Sequence, residues 1–490
     1  MRRAVLGPCV AVLLGGPAVL AFFDGGFFDR PRLVAAIVAW VLVAVAAVAS
    51  RHPVPAGAAG RAALCGLALL YAWTALSLLW APLAGPAFHD LQRLVLYLGA
   101  LIAAAALLRD RRAARAIEPA LAAGALAAVL YGLSERLLPG VVDLAANASA
   151  QGRLDQPLGY WNGMGALSAL GIVLSVRLAG DGSRPPGVRA AAAAAAVPLG
   201  TGLYLTFSRG ALAALAVGLL VLVATAPDWP QVRALALSLE AAAAGAVISS
   251  RFDGVDSLAG SLADRERDGA VVLVALIAVA FVAALLSRRA SHAEGTGRFR
   301  VERLGLRPPP WAVAGAVGLI VALTVLALAS GGRGEDVPRT GAGAARLGSL
   351  QSHRYDYWRV AGGAFAAHPV AGVGAGGFRV EWLRERPFPE PAQDAHSLYV
   401  ETAAELGLVG LAALALLLGG VALAARRALR RAPGAAAGPC AALAAWAMHA
   451  GIDWDWELPA VTLLAVVLAG ACIAGAEAEE DAPGRAALSR

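Results

Sequence analysis

Long apolar runs recur along the whole chain, broken by short polar segments that carry most of its charge. A bilayer crossing takes roughly 20 mostly apolar residues. Windowed hydropathy places such runs at about 4–22, 33–50, 61–80, 91–108, 116–133, 161–178, 190–206, 209–226, 234–249, 270–286, 311–329, 397–424, 436–452 and 458–475. The pattern predicts an all-α polytopic membrane protein with about 12–14 transmembrane helices. The N-terminal run has the basic start of a signal peptide and is expected to stay as an uncleaved first helix. With Met1 inside and one crossing per run, the Arg clusters at 109–115, 287–307 and 426–431 all fall on the inner side, as the positive-inside bias requires.

The same count divides the chain into an N-terminal transmembrane bundle (1–133), a central transmembrane part with a Ser-Arg-Gly turn (134–329), a large extracytoplasmic loop (330–396), C-terminal transmembrane helices (397–475) and a disordered cytoplasmic tail (476–490). The large loop is too long for a connector. Its balanced charge, with Tyr355, Trp358 and Phe365 at helical spacing, predicts a folded helical element at the interface.

Composition sharpens the class. Hydrophobic residues make up 59% and charged residues 15%, with a mean hydropathy of +0.66, which excludes a string of soluble domains. The net charge of +7 comes from arginine without lysine, set between apolar runs, so it reports topology rather than nucleic-acid binding. Cys9, Cys65, Cys440 and Cys472 all lie in apolar runs without CxxC or Cys/His spacing, so neither a disulfide framework nor a metal site is expected.

Chemistry is expected where polar groups interrupt apolar runs. In TFSRGALAAL, Ser208 and Arg209 break a long apolar stretch. An arginine there either snorkels to headgroups or grips a phosphate with its planar fork. GRLDQPLGYWNGMGAL offers Arg153, Asp155 and Asn162, the last either a helix cap or an amide facing a polar cavity. In RYDYWRVAGGAFAAHPVAGVGAGGF, Arg354 and Trp358 share a helical face, and a glycine-rich turn follows without the spacing of a nucleotide fingerprint. In HSLYVETAAELGLVGL, His396 sits at the N-terminal end of a span, where the helix dipole disfavours the imidazolium. Glu401 and Glu405 lie four apart on one face, and carboxylates within a span default to functional roles. Asp453, Asp455 and Glu457 lie between the last two runs. They match a DxD pattern that three residues cannot make specific, and are expected as solvated acids beside an aromatic interfacial anchor.

GRLDQPLGYWNGMGAL, TFSRGALAAL, RYDYWRVAGGAFAAHPVAGVGAGGF and HSLYVETAAELGLVGL, in this order and with a long loop just before the last spans, resemble the O-antigen ligase/polymerase family of bacterial membrane proteins. The resemblance implies a GT-C-like fold in the inner or plasma membrane, with the active site on the extracytoplasmic face. It implies a metal-independent transferase that uses no cofactor and binds no nucleic acid. Such an enzyme moves a glycan from an undecaprenyl-diphosphate donor to a hydroxyl of a glycan or lipid acceptor, as ligase or polymerase, in polysaccharide biosynthesis of the cell envelope. By the family pattern, Arg209 and Arg354 hold the diphosphate, and His396 acts as base or positions the acceptor. Arg153, Asn162, Ser208, Trp358, Glu401 and Glu405 are the expected substrate-binding residues. Ser397 stands where the family carries asparagine, and only Asn162 matches its Asn-Pro-Asn-like segment. Two other readings compete. A lipid-linked glycan transporter or flippase would use the same arginines without forming a glycosidic bond. A polyprenyl-monophosphate-dependent enzyme would use Asp24 and Asp29.

Overall fold

The computed structural model describes residues 2–145, 147–295, 308–329 and 353–478. Residues 479–490 of the expected tail, the arginines between 296 and 307 and residues 330–352 of the large loop therefore lie outside the described residues. All regular elements among the described residues are helical. Every run expected to cross has a helix in its place: α1 (Arg2–Ala21), α2 (Asp29–Ala49), α3 (Ala58–Ser77), α4 (Ala84–Leu107), α5 (Arg111–Leu137), α6 (Trp161–Gly180), α7 (Pro186–Leu205), α8 (Arg209–Thr225) and α9 (Trp229–Ser249). After the short α10 (Asp253–Asp256) come α11 (Leu262–Gly295) and α12 (Pro310–Ala329). Beyond the undescribed stretch follow α13 (Arg354–Ala367), α14 (Phe378–Glu385), α15 (Leu398–Arg431), α16 (Pro433–Ala450) and α17 (Pro459–Glu477). Ten of these helices are long and apolar enough to cross a membrane, and the chain is a multi-pass membrane protein.

The crossing helices alternate in direction, so two poles emerge. One collects the ends near 109–115, 181–189, 226–233 and 431, and four of its arginines pair with carboxylates. Arg109 meets Glu477 at 2.7 Å, Arg184 meets Glu118 at 3.0 Å, and Arg189 and Arg233 share Glu294 at 2.5 and 2.8 Å. The opposite pole gathers the starts of α6, α8, α15 and α17 together with α13 and α14. Between the poles α6 runs through the middle, its apolar window fully buried, whereas α2 and α11 turn Ile37 and Phe281 outward. Small residues let backbones close on each other: a Cβ on Gly66 of α3 would lie 2.3 Å from Leu417 N of α15.

The expected helical element is present as α13 and α14. Tyr357, Val360, Ala361, Phe378 and Trp382 form a core of their own beside the membrane helices. The glycine-rich turn after α13 joins it to a break in α15. Gly407 has φ +64 and ψ −158, a conformation open only to glycine. Two carbonyls that lose helical partners at the break accept from Val373 N (to Ala404 O, 3.0 Å) and Gly374 N (to Glu405 O, 2.8 Å). A Cβ on Gly407 would sit 2.4 Å from Val370 O. Gly407→Ala is therefore expected to cost at least the about 1–3 kcal/mol of such backbone strain, read as a lower thermal midpoint. An unchanged midpoint would show that the break is not under this constraint.

Candidate active site

At the second pole, Tyr160, Arg209, Arg354, His396 and Asp453 come from five separate stretches of chain. The break between α7 and α8 is shaped by Phe207 at φ +49 and by Ser208, whose hydroxyl caps α8 by accepting from Ala211 N (3.3 Å). The cap fixes Arg209 at the first position of α8, within electrostatic reach of Arg354 and Tyr355. Ser208 is buried and serves the turn itself.

Arg354 opens α13 and forms an ion pair with Asp453, in the loop between α16 and α17. Asp453 is 1% exposed and also accepts from Tyr160 Oη (2.5 Å) and from Trp454 N (2.9 Å). Burial alone would raise its pKa, but the Arg354 guanidinium overrides this and holds the carboxyl below the usual range. Burial works against the charge on Arg354, and Asp453 more than offsets it. Asn162 is not the cap of α6: that position is Tyr160, and the Asn162 amide donates to Tyr160 Oη (2.8 Å). Burial and the neighbouring carboxylate push the phenol well above its ordinary range, so it stays a donor to Asp453.

His396 precedes Ser397, the N-cap of α15, whose hydroxyl accepts from Val400 N (3.3 Å). Its φ of +53 turns the ring between Tyr357 (centroids 5.2 Å apart) and Trp454 (6.2 Å). Nδ1 faces the Asp394 carbonyl at 3.1 Å, a partner that only accepts. The Nδ1–H tautomer follows, leaving the Nε2 lone pair free. Burial lowers the imidazole pKa and Arg354 pushes the same way, while Asp453 opposes them; the net shift is downward. Trp358 steadies this loop by donating from Nε1 to Ala395 O (3.1 Å).

The other expected site residues are engaged differently. Arg153 is buried, donates to Ala150 O (2.7 Å) and Ser149 O (3.0 Å), and lies 3.5 Å over the Trp161 ring. Its guanidinium thereby knits the loop before α6. Both Glu405 oxygens accept backbone donors, Gly376 N (2.8 Å) and Phe378 N (3.0 Å), so this carboxylate fastens the glycine turn and the start of α14. Glu401 accepts from Ala395 N (2.6 Å). Asp24 occupies a left-handed turn at φ +51, and Asp29 pairs with Arg32.

The expectation of solvated acids in the last loop is overturned. Asp453, Asp455 and Glu457 are 1%, 0% and 4% exposed: Asp453 pairs with Arg354 of α13, and Arg93 of α4 stands 3.7 Å from Glu457. Behind Asp453, Asp455 pairs with His449 Nδ1 at 2.5 Å. His449 Nε2 backs the Ser-Arg-Gly turn, where a Cβ on Gly210 would lie 3.3 Å away. Sequence reasoning named Asp453 and Asp455 only as solvated acids, and it missed Tyr160 and His449. The density of acids and tryptophans in DWDWE was the available signal.

The fold and this cluster define a polytopic all-helical membrane protein with a cationic, histidine-bearing site at one pole. Residues 259–415 match the family described as O-antigen ligase. The match contains Arg354 and His396, whereas Arg209, Tyr160 and Asp453 reach the site from outside it. No curated protein matches the chain.

Proposed function

We propose that this chain moves a glycan from an undecaprenyl-diphosphate donor to an acceptor hydroxyl on the extracytoplasmic face of the plasma membrane. The observation that carries the reading is the convergence of Arg209, Arg354 and His396 at one pole. The N-termini of α6, α8, α15 and α17 point their positive dipole ends toward the same pole, an arrangement that favours a polyanion. In this reading Arg209 and Arg354 hold the diphosphate. His396 Nε2 takes the proton of the acceptor hydroxyl as its oxygen bonds to the anomeric carbon. The bond from that carbon to the phosphate oxygen breaks with its electron pair, and the lipid diphosphate leaves with its added charge stabilised by the two guanidinium groups.

Proteoliposomes holding the purified protein and a short lipid-diphosphate oligosaccharide test this. Products are expected, lengthening in a ladder for a polymerase or appearing on a distinct acceptor for a ligase. Arg209→Ala is expected to lower the transfer rate by about 10²–10³, the usual loss for one charge-stabilising donor, with unchanged membrane insertion. Movement of the lipid across the bilayer without a new glycosidic bond would refute the transferase and leave the transporter.

A further inference from the structure

A second polar space lies beside this site, a cavity of ≈ 260 Å³ between the outer ends of α2 and α4, the start of α14 and the loop before α15. Its wall contains three guanidinium groups, two of which are already committed. Arg32 is held by Asp29, Gln92 (2.8 Å) and Phe27 O (2.6 Å), and Arg93 pairs with Asp90 and stands 3.7 Å from Glu457. Arg379 is different: among the described residues it makes no hydrogen bond or ion pair, yet it lines the space. Facing the same space are Asp394, whose carboxylate has no hydrogen-bond partner among the described residues, and Glu401, one of whose oxygens is taken by Ala395 N.

The cavity thus offers an uncommitted donor fork beside uncommitted acceptor oxygens. Carboxylates outnumber the available guanidinium groups, which disfavours a phosphate. Hydroxyl groups both donate and accept, so a neutral polyol satisfies the two kinds of wall at once. The volume falls just short of the roughly 300–1,000 Å³ of drug-sized sites, which suits a single sugar ring. The position matters as well. Glu401 holds the Ala395 amide and the Asp394 carbonyl holds His396 Nδ1, so an occupant touches the very loop that carries the imidazole.

We infer that this cavity is the subsite for a neutral sugar of the acceptor glycan, gripped by Arg379, Asp394 and Glu401. The inference rests on the transferase reading above, and binding without donor separates the two. The probe is a set of oligosaccharides released by mild acid from the source bacterium's own envelope polysaccharide, titrated calorimetrically into the full-length protein in detergent. Wild type should bind in the absence of donor. Arg379→Ala and Glu401→Gln should each weaken binding about tenfold or more, the loss of one charge-assisted hydrogen bond. Arg384→Ala, on the same helix but exposed, should change nothing. Glutamine at 401 can still accept from Ala395 N, so folding is preserved. Wild-type affinity in both cavity variants, no binding to wild type, or displacement of the oligosaccharide by inorganic pyrophosphate or by calcium would each overturn the subsite. Failure of transfer in proteoliposomes with this binding pattern intact would instead overturn the transferase reading alone.

Discussion

Asp453→Asn is expected to cut transfer at least about 100-fold while the helices stay inserted. The substitution keeps the shape of the side chain and still accepts the Tyr160 hydroxyl, but it cannot neutralise Arg354. Removing one partner of a buried ion pair costs about 3–5 kcal/mol. Because the Arg354 side chain remains 23% exposed, the lower end of that cost applies to the fold; the loss of transfer, at least about 100-fold, is that of a charge-stabilising guanidinium no longer held in place by Asp453. The loss should divide in a telling way. Without donor, the loss of the Asp453 charge beside Arg354 lowers thermal stability, although Asp455 still lies within electrostatic reach. With donor bound, the diphosphate supplies the missing negative charge, so donor affinity should hold or improve while the turnover rate falls. A purely structural role predicts that stability, affinity and rate fall together. Donor titration, unfolding monitored by intrinsic fluorescence and initial rates in proteoliposomes distinguish the two, and wild-type turnover in a stable Asp453→Asn protein would remove the pair from the site.

The contrast between Asp453 and Arg209 shows how far the sequence could be read. Arg209 interrupts a long apolar stretch, and a permanent charge at such a place has few innocent explanations. His396 stands just ahead of a span, where its position on the helix alone predicts an uncharged ring. The crossing helices were legible for a similar local reason, since each apolar run carries its own signal. Asp453 lies in a short loop dense in tryptophan and acid, and locally such a loop is indistinguishable from a wet interfacial anchor. Its partner Arg354 comes from α13, far away in sequence, whose docking no local pattern reports. Tyr160 was hidden by the same distance: its hydroxyl matters only because Asp453 arrives beside it. The carboxylates on α15 illustrate the opposite limit. Their spacing showed that Glu401 and Glu405 share a face, but not that the glycine turn would claim both oxygens of one and leave the other on a cavity wall.

Replacing His396 by alanine is expected to lower transfer by about 10²–10⁴, the range for a positioned general base, and the pH dependence tells why. A base works only unprotonated, so activity should rise with pH through the native pKa of His396 and then level off. Burial pushes that pKa below the ordinary imidazole value of about 6.5. The rising limb of kcat/KM should therefore lie on the acid side of about 6.5, with a plateau through neutral pH. The neighbours make the assignment specific. Asp453 favours the imidazolium and Arg354 disfavours it. In the residual activity, Asp453→Asn should move the limb to lower pH and Arg354→Ala should move it to higher pH. Stability follows the same sign: the unfolded chain takes up a proton near pH 6.5 that the native ring refuses, so stability is full above that pH and is lost as pH falls toward the native pKa. A wild-type profile that rises only above about 6.5, or shifts of the opposite sign in the two variants, would mean that the proton leaves by another route and that His396 holds the acceptor without accepting its proton.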